Sequence, residues 1–238
     1  MRIALFGGTG RIGSHVLGWA LEGGHQVTVL ARDPRELGIL ARDPGELTVL
    51  ASDSAGLAVP CREPAGTAVP AGAVTVVTGD VTDPAAVREV VDGADAVLSA
   101  LGPRGARTPG LLGTAARNIT TAMTASGARR LVCVSAAGAF IQADPDAGAL
   151  VKMIVPRIWA TPFADVRDME AVVAASGLDW TMVRATRLVD GARTGRYRVR
   201  PDFPPAGGRK ISRADVAGFM GAVVTEGNWV RARPALAY

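Results

Sequence analysis

Seven residues, Gly7-Gly-Thr-Gly-Arg-Ile-Gly13, stand between a short apolar run, Arg2 to Phe6, and a stretch from Ile12 to Leu21 with apolar residues at helical spacing. Glycine at these places lets the chain turn tightly, brings backbone N–H groups close to an anion, and lets a helix pack near the strand before it. Gly23-Gly24 closes the helix and Gln26 to Leu30 reads as the next strand. The first forty residues therefore predict a strand, turn, helix and strand with a right-handed crossover, and a phosphate cradle at the turn.

The same alternation runs through the rest of the chain. Strands are expected at Val74 to Thr78, Ala94 to Ala100, Arg130 to Ser135 and Asp179 to Arg184, with a last one at Trp229 to Arg233. Helices are expected over Pro84 to Val91, Leu111 to Ser126, Leu150 to Trp159 and Asp165 to Ser176. A further helix runs to about Glu226 behind a capping box of Ser212 and Asp215. Six strands alternating with helices predict a doubly wound, Rossmann-type parallel sheet with helices on both faces. At 238 residues the chain is expected to form one domain, with a small substrate-side region at about 140–165 and 185–212.

One segment breaks the pattern. Ala31-Arg-Asp-Pro-Arg-Glu-Leu37 recurs as Ala41-Arg-Asp-Pro-Gly-Glu-Leu47, and weaker copies begin at Ala51 and Cys61. A ten-residue period is too short for a helical repeat unit, so residues of about 35–73 read as a tandem insertion made of turns and short extended pieces. Such a long insertion is expected to fold back on the surface, or to mediate self-association or contact with a protein partner.

Composition narrows the chemistry. The two cysteines, Cys61 and Cys133, and the two histidines, His15 and His25, form no metal-ligand spacing, so no metal site is expected. His15 reads as a structural or phosphate-near residue. No apolar run is long enough for a membrane span and no signal peptide is visible, so a cytoplasmic protein without membrane association is expected. The net charge of +4 comes almost wholly from arginine, since Lys152 and Lys210 are the only lysines. Eight arginines lie between Arg184 and Arg213, which reads as a solvated basic face or a region favouring an anionic ligand. The few aromatics are not interleaved with them, so nucleic acid is not expected.

The carboxyl ends of the expected strands carry the candidate site, because ligands of open α/β sheets bind there. Gly7, Thr9, Gly10, Arg11, Ile12 and Gly13 would hold a pyrophosphate. At the end of the second strand an arginine, Arg32, stands where a dinucleotide's 2′-substituent is read, which favours NADP(H) over NAD(H). Arg35 and Arg42 are open alternatives for the same phosphate. Asp80 and Val81 follow the third strand, where the aspartate can accept from an adenine amino group. Ala100, Leu101 and Gly102 follow the fourth and border the nicotinamide ribose. Thr186 lies past the sixth. Ser135 reads either as a group hydrogen-bonding substrate or nicotinamide, or as a strand-end cap. Met153, Trp159 and Phe163 read as helix packing or as an apolar wall, and Asp165, Asp168 and Glu170 as a solvated helix face.

Taken together, Gly7-Gly-Thr-Gly-Arg-Ile-Gly13, Leu30-Ala-Arg-Asp33, Gly79-Asp-Val-Thr-Asp83, Val134-Ser135 and Ser176-Gly-Leu-Asp-Trp-Thr-Met-Val-Arg184 resemble the atypical short-chain dehydrogenase/reductase superfamily. The resemblance is to its NAD(P)H-binding branch, which includes biliverdin reductase B (flavin reductase) and NmrA-like proteins. It implies an NAD(P)H-binding protein and makes Ser135 the counterpart of the superfamily serine. The superfamily's usual pair is Tyr-x-x-x-Lys, a general acid or base with a lysine that lowers its pKa. This chain lacks it: four residues after Tyr197 stands Pro201, and Tyr238 is the last residue. The expected activity is an NADPH-dependent transfer of hydride to a small planar acceptor such as a flavin or quinone. The alternatives are an NmrA-like NADP(H) sensor that passes its occupancy to a protein partner, and a tailoring reductase of a biosynthetic pathway.

Overall fold

Side chains alternate across a strand, so a strand buried on both faces must be apolar at every position. β1 (Arg2–Phe6) shows this: Ile3 and Leu5 enter one hydrophobic cluster, Ala4 and Phe6 the other. A computed structural model of the protein describes residues 1–33, 74–102 and 109–238, together with the backbone of 49–52. After β1 come α1 (Gly13–Glu22), β2 (Gln26–Ala31), β3 (Val49–Ser52), β4 (Val74–Thr78), α2 (Pro84–Val91), β5 (Ala96–Ser99) and α3 (Leu111–Ser126). The second half holds β6 (Arg130–Ala136), a 3₁₀ turn (Ala137–Phe140), α4 (Ala149–Ile158), α5 (Ala160–Ala175), β7 (Asp179–Ala185) and β8 (Arg187–Val189). It ends with β9 (Arg198–Pro201), β10 (Lys210–Ser212), α6 (Arg213–Glu226) and β11 (Pro234–Ala237).

The main sheet has nine strands in the order β3-β4-β2-β1-β5-β6-β7-β11-β9. All neighbours are parallel except β11 and β9. Strand order reverses at β1, with β2 on one side and β5 on the other, which creates the crevice that doubly wound sheets use for ligands. One face is covered by α2, α3 and α5, the other by α1 and α6. The expected Rossmann-type sheet is thus what forms, with its six predicted strands at its centre.

The differences from expectation lie at the edges. The last strand is Pro234–Ala237 and not Trp229 to Arg233, because Trp229 and Arg231 hold positive φ (54° and 53°) that no strand accommodates. Only Ala232 of that stretch makes an isolated bridge, to Thr181. β8 and β10 pair in parallel as a separate two-stranded ribbon, which periodicity did not reveal. From the repeat, β3 is one short extended piece that pairs with β4 at the sheet edge. Arg35, Arg42 and Cys61 lie outside the described residues. Among the described residues no helix is long and apolar enough to cross a membrane, and no group of His, Cys, Asp or Glu is placed to hold a metal.

Candidate dinucleotide site

The glycine turn is built by close approach of backbone to backbone. The Gly10 N–H donates to the Gly7 carbonyl at 2.9 Å, and Gly7 itself has φ of 78°. A Cβ on Gly13 would stand 1.9 Å from the Gly7 carbonyl oxygen, far inside contact distance. One on Gly8 would meet Val29 at 2.7 Å, and one on Gly7 would press on the Ala100 backbone at 3.0 Å. These contacts make the glycines obligatory for the turn. They also leave α1 opening at Ile12 with no side chain capping it, so the positive end of the helix dipole faces outward over the crevice. That is the arrangement a pyrophosphate needs, and Gly7, Thr9, Gly10, Arg11, Ile12 and Gly13 fit the group. When bound, a nicotinamide dinucleotide supplies hydride chemistry.

The other predicted positions come together along the same carboxyl edge. Phe6 pairs with Leu30 on one side and Ser99 on the other, so Arg32 and Ala100 to Gly102 flank the turn. Arg32 is exposed. The Ala100 N–H donates to the Phe6 carbonyl at 2.9 Å, prolonging the register past β5. Asp80 accepts from the Thr82 N–H and hydroxyl at 2.9 and 2.8 Å, which fixes the turn after β4. Val81 is buried and its carbonyl accepts from the Asn118 amide at 2.9 Å. Thr186 gives its hydroxyl to the Leu236 carbonyl at 3.0 Å, tying the exit of β7 to β11. His15 lies exposed on α1, and Cys133 is buried, with desolvation and the nearby Glu170 pushing its thiol well above the usual range.

Ser135 lies at the end of β6 on the face covered by α5, and its surroundings overturn one expectation. Asp165 and Glu170 are not on a solvated helix face: both are buried, Glu170 to 3% exposure. Asp165 accepts from the Leu112 and Gly113 N–H groups at 3.0 to 3.1 Å and so caps α3. Glu170 accepts from the Ser135 hydroxyl at 2.5 Å, from Arg184 Nε and a terminal nitrogen at 2.9 and 2.7 Å, and from Arg233 Nε at 3.2 Å. Phe140 stacks on the Arg184 guanidinium, 3.6 Å from its carbon to the ring centroid. A buried carboxylate requires such partners. Only Asp168 is exposed as expected, paired with Arg117.

The expected packing of Met153 and Trp159 is overturned too, since both are more than half exposed; Phe163 is partly buried and stacks with Trp159 at 6.2 Å. Arg11 of the glycine turn forms an ion pair with Asp190, which also accepts from Arg213 at 2.7 Å. Sequence reading missed Asp190 and the two arginines on Glu170. The register Ser135 to Arg184 was the available signal, because neighbouring parallel strands place those side chains on one face.

Comparison with known proteins places the chain in a family. A sequence profile described as NAD(P)H-binding matches residues 50–227, well over half of the chain. A solved protein from Burkholderia pseudomallei, named as exported, shares 25% identity, with all of both chains covered and a TM-score of 0.72. A wide-type short-chain dehydrogenase/reductase from Veillonella parvula, solved with NADP, shares 19% identity at a TM-score of 0.73, covering 100% of this chain and 94% of that one. ChuY, an anaerobillin reductase from Escherichia coli O157:H7, shares 20% at a TM-score of 0.73, covering 100% and 97%. The predicted resemblance to the NAD(P)H-binding branch of atypical short-chain dehydrogenase/reductases holds, and the chain belongs to the NAD(P)H-binding family.

Proposed function

We propose that this protein is an NADPH-dependent reductase that passes hydride to a small planar acceptor, a flavin or a quinone. The observation that carries the reading is a complete glycine cradle beside a strand-end serine whose hydroxyl proton is committed to Glu170. With no Tyr-x-x-x-Lys pair in the chain, a substrate needing a protein acid is disfavoured. A planar acceptor would need only to be held against the nicotinamide of a dinucleotide seated on the Gly7–Gly13 turn, which would supply the hydride and be left as NADP+, with the proton drawn from solvent. Arg32 and Arg11 at the turn support NADPH over NADH. The reductase name of ChuY agrees with this reading.

The test is NADPH oxidation by purified protein over a panel of free flavins and quinones, beside calorimetry of NADPH binding. Acceptor-dependent oxidation is expected. Firm binding of NADPH without turnover of any acceptor would overturn the reading and favour the NmrA-like alternative, which the committed Ser135 proton also supports. In that case a protein partner retained differently with NADP+ and NADPH is expected.

A further inference from the structure

α4 is built inside out. Its residues Leu150, Ile154 and Ile158 fall four apart and share one face with Val151, and this apolar stripe points to solvent. The half-buried residues Lys152, Val155 and Pro156 occupy the opposite side. Six large apolar side chains, Leu150, Val151, Met153, Ile154, Ile158 and Trp159, are 41 to 68% exposed, and no residue of the helix is buried. Scattered apolar residues on a surface need no explanation, but six among the ten residues from Leu150 to Trp159 do. The chain also takes trouble to hold the helix. Pro156 has no N–H to give the Lys152 carbonyl, and Gln142 donates its side-chain amide there instead at 2.7 Å.

Charge decides what covers this face. Residues 147–164 contain Lys152 and Arg157 and no acid. The nearest acids on either side are occupied: Asp146 is paired with Arg200, and Asp165 is buried against the start of α3. A two-fold pairing of α4 with a second copy would bring together two patches of the same net positive charge, with no acid in residues 147–164 to pair with them. An anionic lipid surface meets both requirements, taking the apolar side chains into its acyl boundary and the exposed Arg157, three and seven residues on from Ile154 and Leu150 at the edge of the stripe, among its headgroups. Trp159, apolar in body with a polar N–H, suits that boundary.

We propose that α4 seats this protein on an anionic lipid surface, lying in the plane of the interface. The expectation of no membrane association rested on the lack of a spanning segment, and an interfacial helix needs none. Because α4 packs against the 3₁₀ turn Ala137–Phe140 that directly follows β6, docking would bring the Ser135 edge of the sheet towards the lipid. The proposal does not depend on any hydride acceptor.

The experiment is co-sedimentation of the full chain with vesicles of phosphatidylcholine alone and of phosphatidylcholine mixed with phosphatidylglycerol. Binding to the mixed vesicles only, weakened by salt, is expected. The double variant Leu150→Glu/Ile158→Glu should lose about tenfold or more in partition, with thermal unfolding and NADPH binding unchanged. Trp fluorescence should shift to the blue on adding mixed vesicles, and that shift should vanish in Trp159→Phe. No sedimentation with either vesicle, or equal binding by the double variant, would overturn the proposal. A dimer in solution that the double variant converts to monomer would overturn it as well, and would assign the stripe to a second copy.

Discussion

The Ser135 hydroxyl donates to the Glu170 carboxylate at 2.5 Å, and the same carboxylate receives two bonds from Arg184 across the neighbouring strand and helix. A serine so engaged offers a ligand its lone pairs and not its proton. Two guanidinium groups, those of Arg184 and Arg233, converge on the Glu170 carboxylate in a nearly dry site.

Removing that charge should be costly. Glu170→Ala strands Arg184 without its partner, and a loss of about 3–5 kcal/mol in unfolding free energy is expected from urea titration. Glu170→Leu combined with Arg184→Met should cost clearly less than the sum of the single changes, since it removes the unpaired charge as well. Additive losses would show that the two side chains do not act as a unit.

How far such features can be read from sequence depends on what the signal averages over. Of the central strands, Arg2–Phe6 and Val74–Thr78 coincide with the expected bounds, as do the helices Pro84–Val91 and Leu111–Ser126, and the other strands fall within one or two residues of them, because such runs and caps such as Asp83-Pro84 are local. The ribbon of β8 and β10 was missed because each strand is three residues long and exists through its partner. Glu170 was misread for a related reason. Its helix mixes charged and apolar residues around its circumference, and only the neighbouring strand reveals that its carboxylate faces two arginines. The glycine cradle was legible because its tightest contact, Gly13 against the Gly7 carbonyl, lies within seven residues.

Two glycines of α1 should respond in opposite ways. Gly13→Val would drive its side chain into the Gly7 carbonyl, so the turn must open, and NADPH affinity is expected to fall at least 100-fold by calorimetry. Gly18 has nothing within 4 Å of an added Cβ, so Gly18→Ala should raise helix stability by about 0.5–1 kcal/mol and leave cofactor binding alone. Intact binding in the Gly13 variant would remove the turn from the site.

Arg11 cannot serve Asp190 and a phosphate equally. Asp190→Asn releases the arginine, and NADPH affinity at low salt should rise severalfold, with the gain disappearing at high salt as expected for an exposed pair. Weaker binding in this variant would mean that Asp190 helps hold the cofactor groove together.

Arg32→Ser tests cofactor choice. The ratio of NADPH to NADH affinity should fall about tenfold or more, through loss of NADPH binding alone, as befits one charged contact to a 2′-phosphate. A uniform loss for both dinucleotides would assign Arg32 to the fold or to the shared ribose.

Acid should act on the protein through Asp215. Burial alone would raise this carboxyl, but hydrogen bonds from the Tyr238 hydroxyl, from Gly195 N–H and from both the hydroxyl and N–H of Thr194 outweigh it and hold its pKa below the usual range. Its folded value thus lies below its unfolded value of about 4. The stability it contributes is then present above that unfolded value and is lost as pH falls through the folded one. Asp215→Asn should cost about 1.5–3 kcal/mol at pH 7 and unfold with a shallower dependence on acid than the unaltered protein. Tyr238→Phe should cost about 1 kcal/mol at pH 7 and less once the carboxyl is protonated. Urea titrations at neutral and acid pH read both effects, and parallel pH profiles for the Asp215→Asn variant and the parent would place the acid-sensitive group elsewhere.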